Sequence, residues 1–346
     1  MLKNAGLPTL DSLPKTSEWH NVDVATFRNE IMPRNRPAIL KGHVKDWPAV
    51  REGLKSPQAF RDYIRPFDLG RPVRTAVGPP DIKGRLFYRD DMTGFNFDFV
   101  NETLLTSIER ILAHLEDAAP PAVYAGGIST TDCLPGFARE NVLGLLDTSV
   151  VPRIWASSAV TAPTHYDVSD NVCCVVSGHR RFTFFPPEQL PNLYVGPLEF
   201  TPAGQPTSMV KLSSPDLERY PRFAEALAAA ETAEVEPGDA VFLPCYWWHN
   251  VESLDPFNIL INYWWSDFKV ETRPPFPALV HALVTIGHLP ANHREAWRRI
   301  FDHYVFRGNG EPVEHLAPAH RGMLGAMTPQ LANSLIGWVI RKLQGQ

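Results

Sequence analysis

Short strand-like runs recur between Pro121 and Phe268, and they restrict the fold of this chain more than any other feature. They read AVYAG, RIWASS, NVCCVVSG, RRFTFFPP, DAVFLP and NILINYWW, and proline or glycine separates them. Runs of this length, bounded by turn residues and rich in β-branched and aromatic residues, are typical of antiparallel strands. The chain also has 33 prolines, which favour short strands and fixed turns over long helices. We therefore predict an all-β unit of sandwich or barrel type.

Helical patterns flank this β unit, so we predict three regions. Residues 1–120 carry helices and strands that flank the core, 121–270 form the β core, and 271–346 form a helical C-terminal region. The predicted strand in the first region is Ala38 to Lys41. The predicted helices cover residues 22–31, 57–64, 99–116, 290–306 and 328–343.

The last predicted helix is amphipathic. One face carries Leu331, Leu335, Trp338, Val339 and Leu343. Such a face is equally consistent with packing onto the β unit and with a dimer interface.

The charge and the cysteine content limit the cellular compartments and the classes of partner that we expect. The formal net charge is −5 and no basic block stands out, so we predict no nucleic-acid partner. No run approaches the roughly 20 apolar residues of a membrane span, and the N-terminus lacks the apolar core of a signal peptide. The spacing of Cys133, Cys173, Cys174 and Cys245 fits no zinc pattern, so reduced thiols in the cytoplasm are expected.

The segment TAPTHYDVSDN contains the first candidate metal ligands, His165 and Asp167. Residues i and i+2 of a strand point to the same side, so an imidazole and a carboxylate can hold one ion together. One more histidine would complete a triad that leaves three octahedral positions open. This suits Fe(II) that takes a chelating cosubstrate and O₂. Taken alone, the His-x-Asp triplet is weak evidence for a metal site. The alternative is a surface aspartate that is hydrogen-bonded to a nearby histidine.

His249 is the candidate for the third ligand. It follows the predicted strand DAVFLP and stands in the apolar run CYWWH. A core histidine bonded to a backbone carbonyl is the alternative. With His165 and Asp167 placed in the same β unit, the metal site becomes the better interpretation, since a buried neutral imidazole is what a metal ligand must be.

Polar residues on neighbouring strands are candidates for holding the cosubstrate. Arg180 offers a guanidinium that matches a carboxylate with two hydrogen bonds. Arg181 is adjacent, so the two side chains point to opposite faces and one of them faces solvent. Asn171 and Asn262 are polar among apolar neighbours, as a buried hydrogen-bonding role requires, although a bond to nearby backbone is the alternative.

Four joined motifs resemble the JmjC, cupin-type 2-oxoglutarate oxygenases, and most closely the branch with an asparaginyl hydroxylase. They are PTHYDVSDN, GHRRFTFFPPEQLPNLY, PGDAVFLPCYWWHNVESL and NILINYWW. The resemblance is strong over residues 120–268. It implies a double-stranded β-helix, or jelly roll, that is mainly β with flanking helices and a C-terminal helical extension. It also implies Fe(II) bound by His165, Asp167 and His249.

The same resemblance implies the cosubstrate contacts and two departures from the family pattern. 2-Oxoglutarate is expected against the positions Tyr124, Asn171, Arg180 and Asn262. Arg180 replaces a lysine, which keeps the charge but lengthens the group. Ala162 replaces a cosubstrate-contacting threonine, and Thr161 or Thr164 could supply the hydroxyl.

Substrate contacts are expected at Gln205 and at Trp264, the latter as an aromatic wall beside the reacting carbon. The implied function is hydroxylation of a protein or peptide side chain with O₂, releasing succinate and CO₂. The alternatives are hydroxylation of a small molecule or free amino acid, and a cupin-like binding protein without turnover. The resemblance also favours a homodimer formed through the C-terminal helices.

Overall fold

The computed structural model describes residues 8–202, 204–266 and 274–345. Contacts between residues divide the chain into two units, Met1–Ser266 and Asp267–Gln346. The strands, all in the first unit, are β1 (Glu18–His20), β2 (Ala38–Lys41), β3 (Pro72–Gly78), β4 (Asp98–Thr103), β5 (Ala122–Ser129), β6 (Pro152–Ser157), β7 (Thr161–Tyr166), β8 (Asp170–Ser177), β9 (Arg180–Phe185), β10 (Glu231–Val235), β11 (Ala240–Leu243), β12 (Trp248–Ser253) and β13 (Asn258–Trp265).

Helices occupy both units. The α-helices are α1 (Val24–Thr26), α2 (Pro48–Lys55), α3 (Pro57–Ile64), α4 (Leu104–Leu112), α5 (Thr130–Cys133), α6 (Phe137–Glu140), α7 (Phe223–Ala228), α8 (Phe276–Thr285), α9 (Ala291–Tyr304) and α10 (Pro329–Leu343). A π-helical turn covers Phe27–Ile31. Short 3₁₀ turns cover Leu10–Ser12, Met32–Arg34, Arg65–Phe67, Pro80–Ile82, Pro187–Asn192, Pro318–His320 and Gly322–Leu324.

Two sheets build the first unit. The nine-stranded sheet has the order β1-β2-β11-β8-β13-β6-β5-β3-β4, and the four-stranded sheet has the order β10-β9-β12-β7. All their pairings are antiparallel except that of β1 with β2. Consecutive strands such as β7, β8 and β9 alternate between the sheets, as in a jelly roll, so the predicted fold class is confirmed.

The central strands of the large sheet are buried on both faces. β8 carries the run NVCCVVS, in which each residue from Asn171 to Ser177 is buried. Helices cover one face of this sheet, where α2 packs on β8 and α4 packs on β5 and β6. The other face looks onto the small sheet. An uninterrupted hydrophobic run is what a strand between two packed layers requires.

The N-terminal region shares the large sheet with the predicted core. β2 pairs with β11, and β3 pairs with β5, so strands from the first 120 residues extend both edges. The predicted strand Ala38–Lys41 and the predicted helix 57–64 are confirmed to the residue. The predicted helix 99–116 begins only at Leu104, because residues 98–103 pair with β3 as strand β4.

The second unit is helical, and its helices keep their apolar side chains exposed. α8, α9 and α10 contain no fully buried residue. Among the described residues, no helix is long and apolar enough to cross a membrane. The predicted boundary at 270/271 lies in 267–273, which together with residues 1–7, 203 and 346 is outside the described part.

Candidate active site

The three candidate metal ligands meet at one edge of the small sheet. β7 and β12 are antiparallel neighbours in which His165 stands directly opposite His249, and Asp167 follows β7 by one residue. One nitrogen from each histidine and one carboxylate oxygen lie within 4.8 Å of one another. Between Ala162 and His165, β7 holds one residue more than β12, and such a bulge re-aims the side chain that follows it.

Backbone carbonyls fix the tautomers of both imidazoles. His165 Nδ1 donates to the carbonyl of Pro163 at 2.8 Å, and His249 Nδ1 donates to that of Trp247 at 3.0 Å. A carbonyl only accepts, so the proton is on Nδ1 and the Nε2 lone pair is free. Such outer bonds orient metal-ligating histidines.

Burial keeps His249 neutral. The residue is 3% exposed. Desolvation first, and the nearby His165 second, lower its pKa to about 4, although the Asp167 carboxylate acts in the opposite direction. His249 Nε2 lies 3.9 Å from Asp167 Oδ2. Two imidazoles that each present Nε2 and one carboxylate are the donor set of a non-haem Fe(II) site, so these residues fit the ion.

Arg180 is buried without a partner in the same cavity. Its residue is 4% exposed, and neither Nε nor Nη2 has a hydrogen-bond partner among the described residues. Burial lowers the pKa of Arg180 to about 10, so the guanidinium remains charged at neutral pH. An uncompensated buried cation fits an anionic ligand. Arg181, by contrast, points to the other face and binds Glu234 at 2.6 Å.

The other predicted cosubstrate residues line the cavity with Arg180. Burial raises the pKa of Tyr124, so its hydroxyl stays a donor, and Arg180 lies near enough to oppose that rise. Asn171 and Asn262 bond to each other at 3.1 Å. Ala162, which replaces the family's threonine, lines the cavity, whereas Thr161 and Thr164 are not among the described residues that line it.

The predicted substrate residues also line this cavity. Gln205 stands beside Phe200 and Thr207 in the irregular segment that follows β9. The ring of Trp264 lines the cavity, and its indole nitrogen donates to Asp167 Oδ2 at 3.0 Å. The structure thus places every predicted site residue around one cavity of about 840 Å³.

Sequence reasoning missed one wall of the cavity, which is aromatic. Phe95 stacks on Phe97 at 5.4 Å and on Phe200 at 4.7 Å between ring centroids. Phe99 meets Phe97 edge-on, and the Arg74 guanidinium lies 3.4 Å from the centre of the Phe99 ring. The alternation in GFNFDFV, with phenylalanine at every second residue, was the available signal, because period two places these rings on one face.

Comparison with known proteins agrees with this geometry. The model of the cupin-like domain family matches residues 24–270. The chain is 24% identical over 320 residues to tRNA wybutosine-synthesizing protein 5 of Danio rerio, covering 81% of this chain and 89% of that protein. It is 36% identical over 123 residues to lysine-specific demethylase JMJ31 of Arabidopsis thaliana, covering 35% and 22%. It is also 36% identical over 113 residues to human HSPB1-associated protein 1, covering 32% and 22%.

The match to the family model extends over most of the chain and includes the metal-ligand triad, Arg180 and the cavity walls. The matched stretches span less than a quarter of the demethylase and of the human protein. The chain belongs to the cupin-like family, which confirms the class predicted from its motifs, a JmjC-type oxygenase that works with Fe(II) and 2-oxoglutarate.

Proposed function

We propose that this chain hydroxylates a side chain of a protein or peptide, with Fe(II) held by His165, Asp167 and His249. The observation that carries the proposal is the position of Arg180. A buried guanidinium without a partner lines the same open cavity as a triad of metal ligands. A cation in that place is unfavourable unless an anion joins it, and a dicarboxylic cosubstrate supplies one.

The protein residues have separable roles in this reaction. The two imidazoles and the carboxylate would hold the ion and would leave its other coordination positions to other ligands. Arg180 and the Tyr124 hydroxyl would donate to the distal carboxylate of 2-oxoglutarate. When bound, iron and the cosubstrate supply the oxidation: one atom of O₂ enters the substrate and the other enters succinate, with loss of CO₂. The cavity walls limit water around these groups.

The cavity leaves room for a substrate larger than the cosubstrate. Its volume of about 840 Å³ lies near the upper end of the ~300–1,000 Å³ range of small-ligand sites. A five-carbon dicarboxylate fills only part of this space. The remainder runs along the aromatic wall to Phe99, which is 38% exposed. A side chain reaching in from a peptide backbone at the surface fits a cavity that is polar at the metal and apolar toward solvent.

An oxygen-incorporation assay tests the proposal. The protein is loaded with Fe(II) without O₂, mixed with 2-oxoglutarate and a tryptic digest of a proteome, and started with O₂. We expect peptide-dependent succinate release and peptides heavier by one oxygen atom, neither of which His165→Ala produces. Modification of free amino acids alone would contradict the peptide proposal and support the small-molecule alternative.

Two further arms separate the remaining possibilities. Transfer RNA replaces the digest in one arm, because one group of relatives is named for a tRNA-modifying function. Oxygen incorporation into tRNA alone would contradict the peptide proposal. An absence of succinate in every arm would leave a binding protein without turnover.

We also propose that the C-terminal unit forms a homodimer. Its helices expose large apolar side chains, including Val284 at 69%, Trp338 at 49% and Leu343 at 63%. Apolar area of this kind is unfavourable in water and marks an interface. We expect Trp338→Arg to give a monomer in sedimentation equilibrium and Gln330→Arg, on the same helix, to remain dimeric. A monomeric wild-type chain would contradict the proposal.

The proposed environment is the cytoplasm, without a membrane or nucleic-acid partner. The free thiols of Cys133, Cys173 and Cys174 are buried, as is common in a reducing compartment. The net charge of −5 disfavours binding to a phosphate backbone. Fractionation of cells that express the chain tests the compartment, and recovery in the membrane pellet would contradict it.

A further inference from the structure

The carboxylate of Asp167 is held by two donors that converge on one oxygen. Trp264 Nε1 donates to Oδ2 at 3.0 Å, and Asn171 Nδ2 donates to the same atom at 3.2 Å. Two donors saturate the two lone pairs of a carboxylate oxygen. Rotation of the carboxylate would break both hydrogen bonds, so its orientation is set before any ion arrives.

One of these donors is the end of a hydrogen-bond relay, Trp155–Asn262–Asn171–Asp167. Trp155 Nε1 donates to Asn262 Oδ1 at 2.6 Å, Asn262 Nδ2 donates to Asn171 Oδ1 at 3.1 Å, and Asn171 donates to Asp167. An indole nitrogen can only donate, so Asn262 must present its oxygen to Trp155 and its amide nitrogen to Asn171. Since the side-chain oxygen of Asn171 accepts from Asn262, its amide nitrogen is the atom that points to Asp167.

The large sheet builds this relay rigidly. Asn171 on β8 and Asn262 on β13 are 3% and 1% exposed, and their strands are paired neighbours. Trp155 on β6 faces a bulge in β5 that contains Gly126. A Cβ on Gly126 would lie 2.4 Å from Trp155 Cε3, so glycine is what allows the indole to lie there. Buried amides with satisfied partners have little freedom to reorient.

We propose that Trp264 is a positioning residue for the iron-ligating carboxylate, acting together with the relay. The inference rests on the proposed metal centre. Asp167 can bind an ion with both oxygens only by giving up hydrogen bonds to Trp264 and Asn171. The two donors therefore favour binding through a single oxygen, which preserves the three open positions that cosubstrate and O₂ require.

The ring and the N–H of Trp264 serve different purposes. The ring faces the cavity, where it can contact substrate as the sequence predicted, and the edge carrying Nε1 faces Asp167. Trp264→Phe removes the donor and keeps an aromatic surface. A pure substrate contact would leave metal binding unchanged in this variant, whereas a positioning role would weaken it.

Trp47→Phe is a matched control. Trp47 is 5% exposed, and its Nε1 donates to the carbonyl of Val142 at 2.9 Å. The same atoms are removed from an indole that donates to a backbone carbonyl and does not line the cavity. Asn171→Ala serves as a second variant, because it removes the other donor to Oδ2 and keeps the indole.

Binding of Co(II) to the metal-free protein, followed by visible absorption and calorimetry, tests the proposal without turnover. We expect a dissociation constant roughly 10- to 100-fold higher for Trp264→Phe and for Asn171→Ala, the range for loss of a group that orients a metal ligand. The Co(II) spectrum should also change, because the carboxylate binds differently. Trp47→Phe should keep the wild-type constant and spectrum.

Wild-type Co(II) affinity in a folded Trp264→Phe, judged by its thermal melting, would overturn the positioning role. The same holds if Trp47→Phe weakens binding as much as Trp264→Phe. If the wild-type protein binds Co(II) no better than His165→Ala, the proposed metal centre is refuted, and the positioning role of Trp264 is refuted with it. Normal Co(II) binding with no oxygen incorporation would overturn the proposed reaction alone and leave the positioning role standing.

Discussion

Replacing Arg180 with methionine is expected to stabilise the ligand-free protein while weakening its binding of 2-oxoglutarate. The guanidinium is buried, and two of its nitrogens have no partner among the described residues. Burial lowers its pKa from 12.5 to about 10, which corresponds to about 3 kcal/mol of penalty on the charged form. Methionine fills similar space without charge, so the variant should melt a few degrees higher when no ligand is present.

The same substitution removes the anchor of the cosubstrate. A hydrogen bond to a charged group contributes about 1.5–3 kcal/mol, so loss of the guanidinium should raise the 2-oxoglutarate requirement roughly 10- to 100-fold. The two effects have opposite sign because one charge is unfavourable alone and favourable when paired. Stability and binding are thus coupled through a single side chain.

Thermal melts with and without 2-oxoglutarate, and isothermal titration of the cosubstrate into metal-loaded protein, measure both effects. Arg181→Met is the matched control, since the neighbouring guanidinium pairs with Glu234 on the other face of β9. We expect neither effect there. A lower melting temperature of ligand-free Arg180→Met with unchanged 2-oxoglutarate affinity would refute the reasoning and assign the cosubstrate anchor to another residue.

Three more predictions concern the metal ligands and the relay. His165→Ala should abolish succinate production and keep the wild-type fold by circular dichroism, whereas His179→Ala, at a surface hydrogen bond to Asp255, should retain activity. The pKa of His249 is lowered below 6.5, so the unfolded state binds more protons and metal-free stability should fall as pH decreases from 6.5 toward 4. Urea unfolding should show a flatter pH dependence for His249→Gln. Gly126→Ala should displace Trp155 and weaken Co(II) binding, whereas unchanged binding would show that the relay is dispensable.

Much of the fold followed from local patterns. The runs that predicted strands, such as NVCCVVSG and NILINYWW, correspond to β8 and β13 because a two-sided buried strand needs continuous apolar sequence. The predicted start of α4, at residue 99, was wrong because residues 99–103 pair with β3. A pairing between distant segments does not change the helical periodicity of the sequence. Strand order across the large sheet likewise depends on contacts between distant segments.

The sequence predicted the residues of the site better than the hydrogen bonds between them. Alternation along a strand separated Arg180 from Arg181, and the structure buries the first and pairs the second with Glu234. Spacing could not show that Asn171 and Asn262 bond to each other, or that an indole supports Asp167. Those hydrogen bonds join β8 to β13, and β13 to the residue that follows β7, and these elements become neighbours only when the chain folds. Contacts between side chains on different strands therefore cannot be predicted from a single sequence.

The charges around the cavity predict that metal and cosubstrate bind cooperatively. Among the residues that line it, Arg74 and Glu199 offset each other, which leaves the anion of Asp167 and the cation of Arg180. Fe(II) alone or 2-oxoglutarate alone would give this low-dielectric space a net charge, whereas both together return it to neutrality. We expect each ligand to raise the affinity for the other by roughly 5- to 150-fold, as a coupling of 1–3 kcal/mol implies. Titration of Co(II) with and without 2-oxoglutarate measures it, and equal Co(II) affinities in the two titrations would mean that solvent, rather than the paired charges, neutralises the centre.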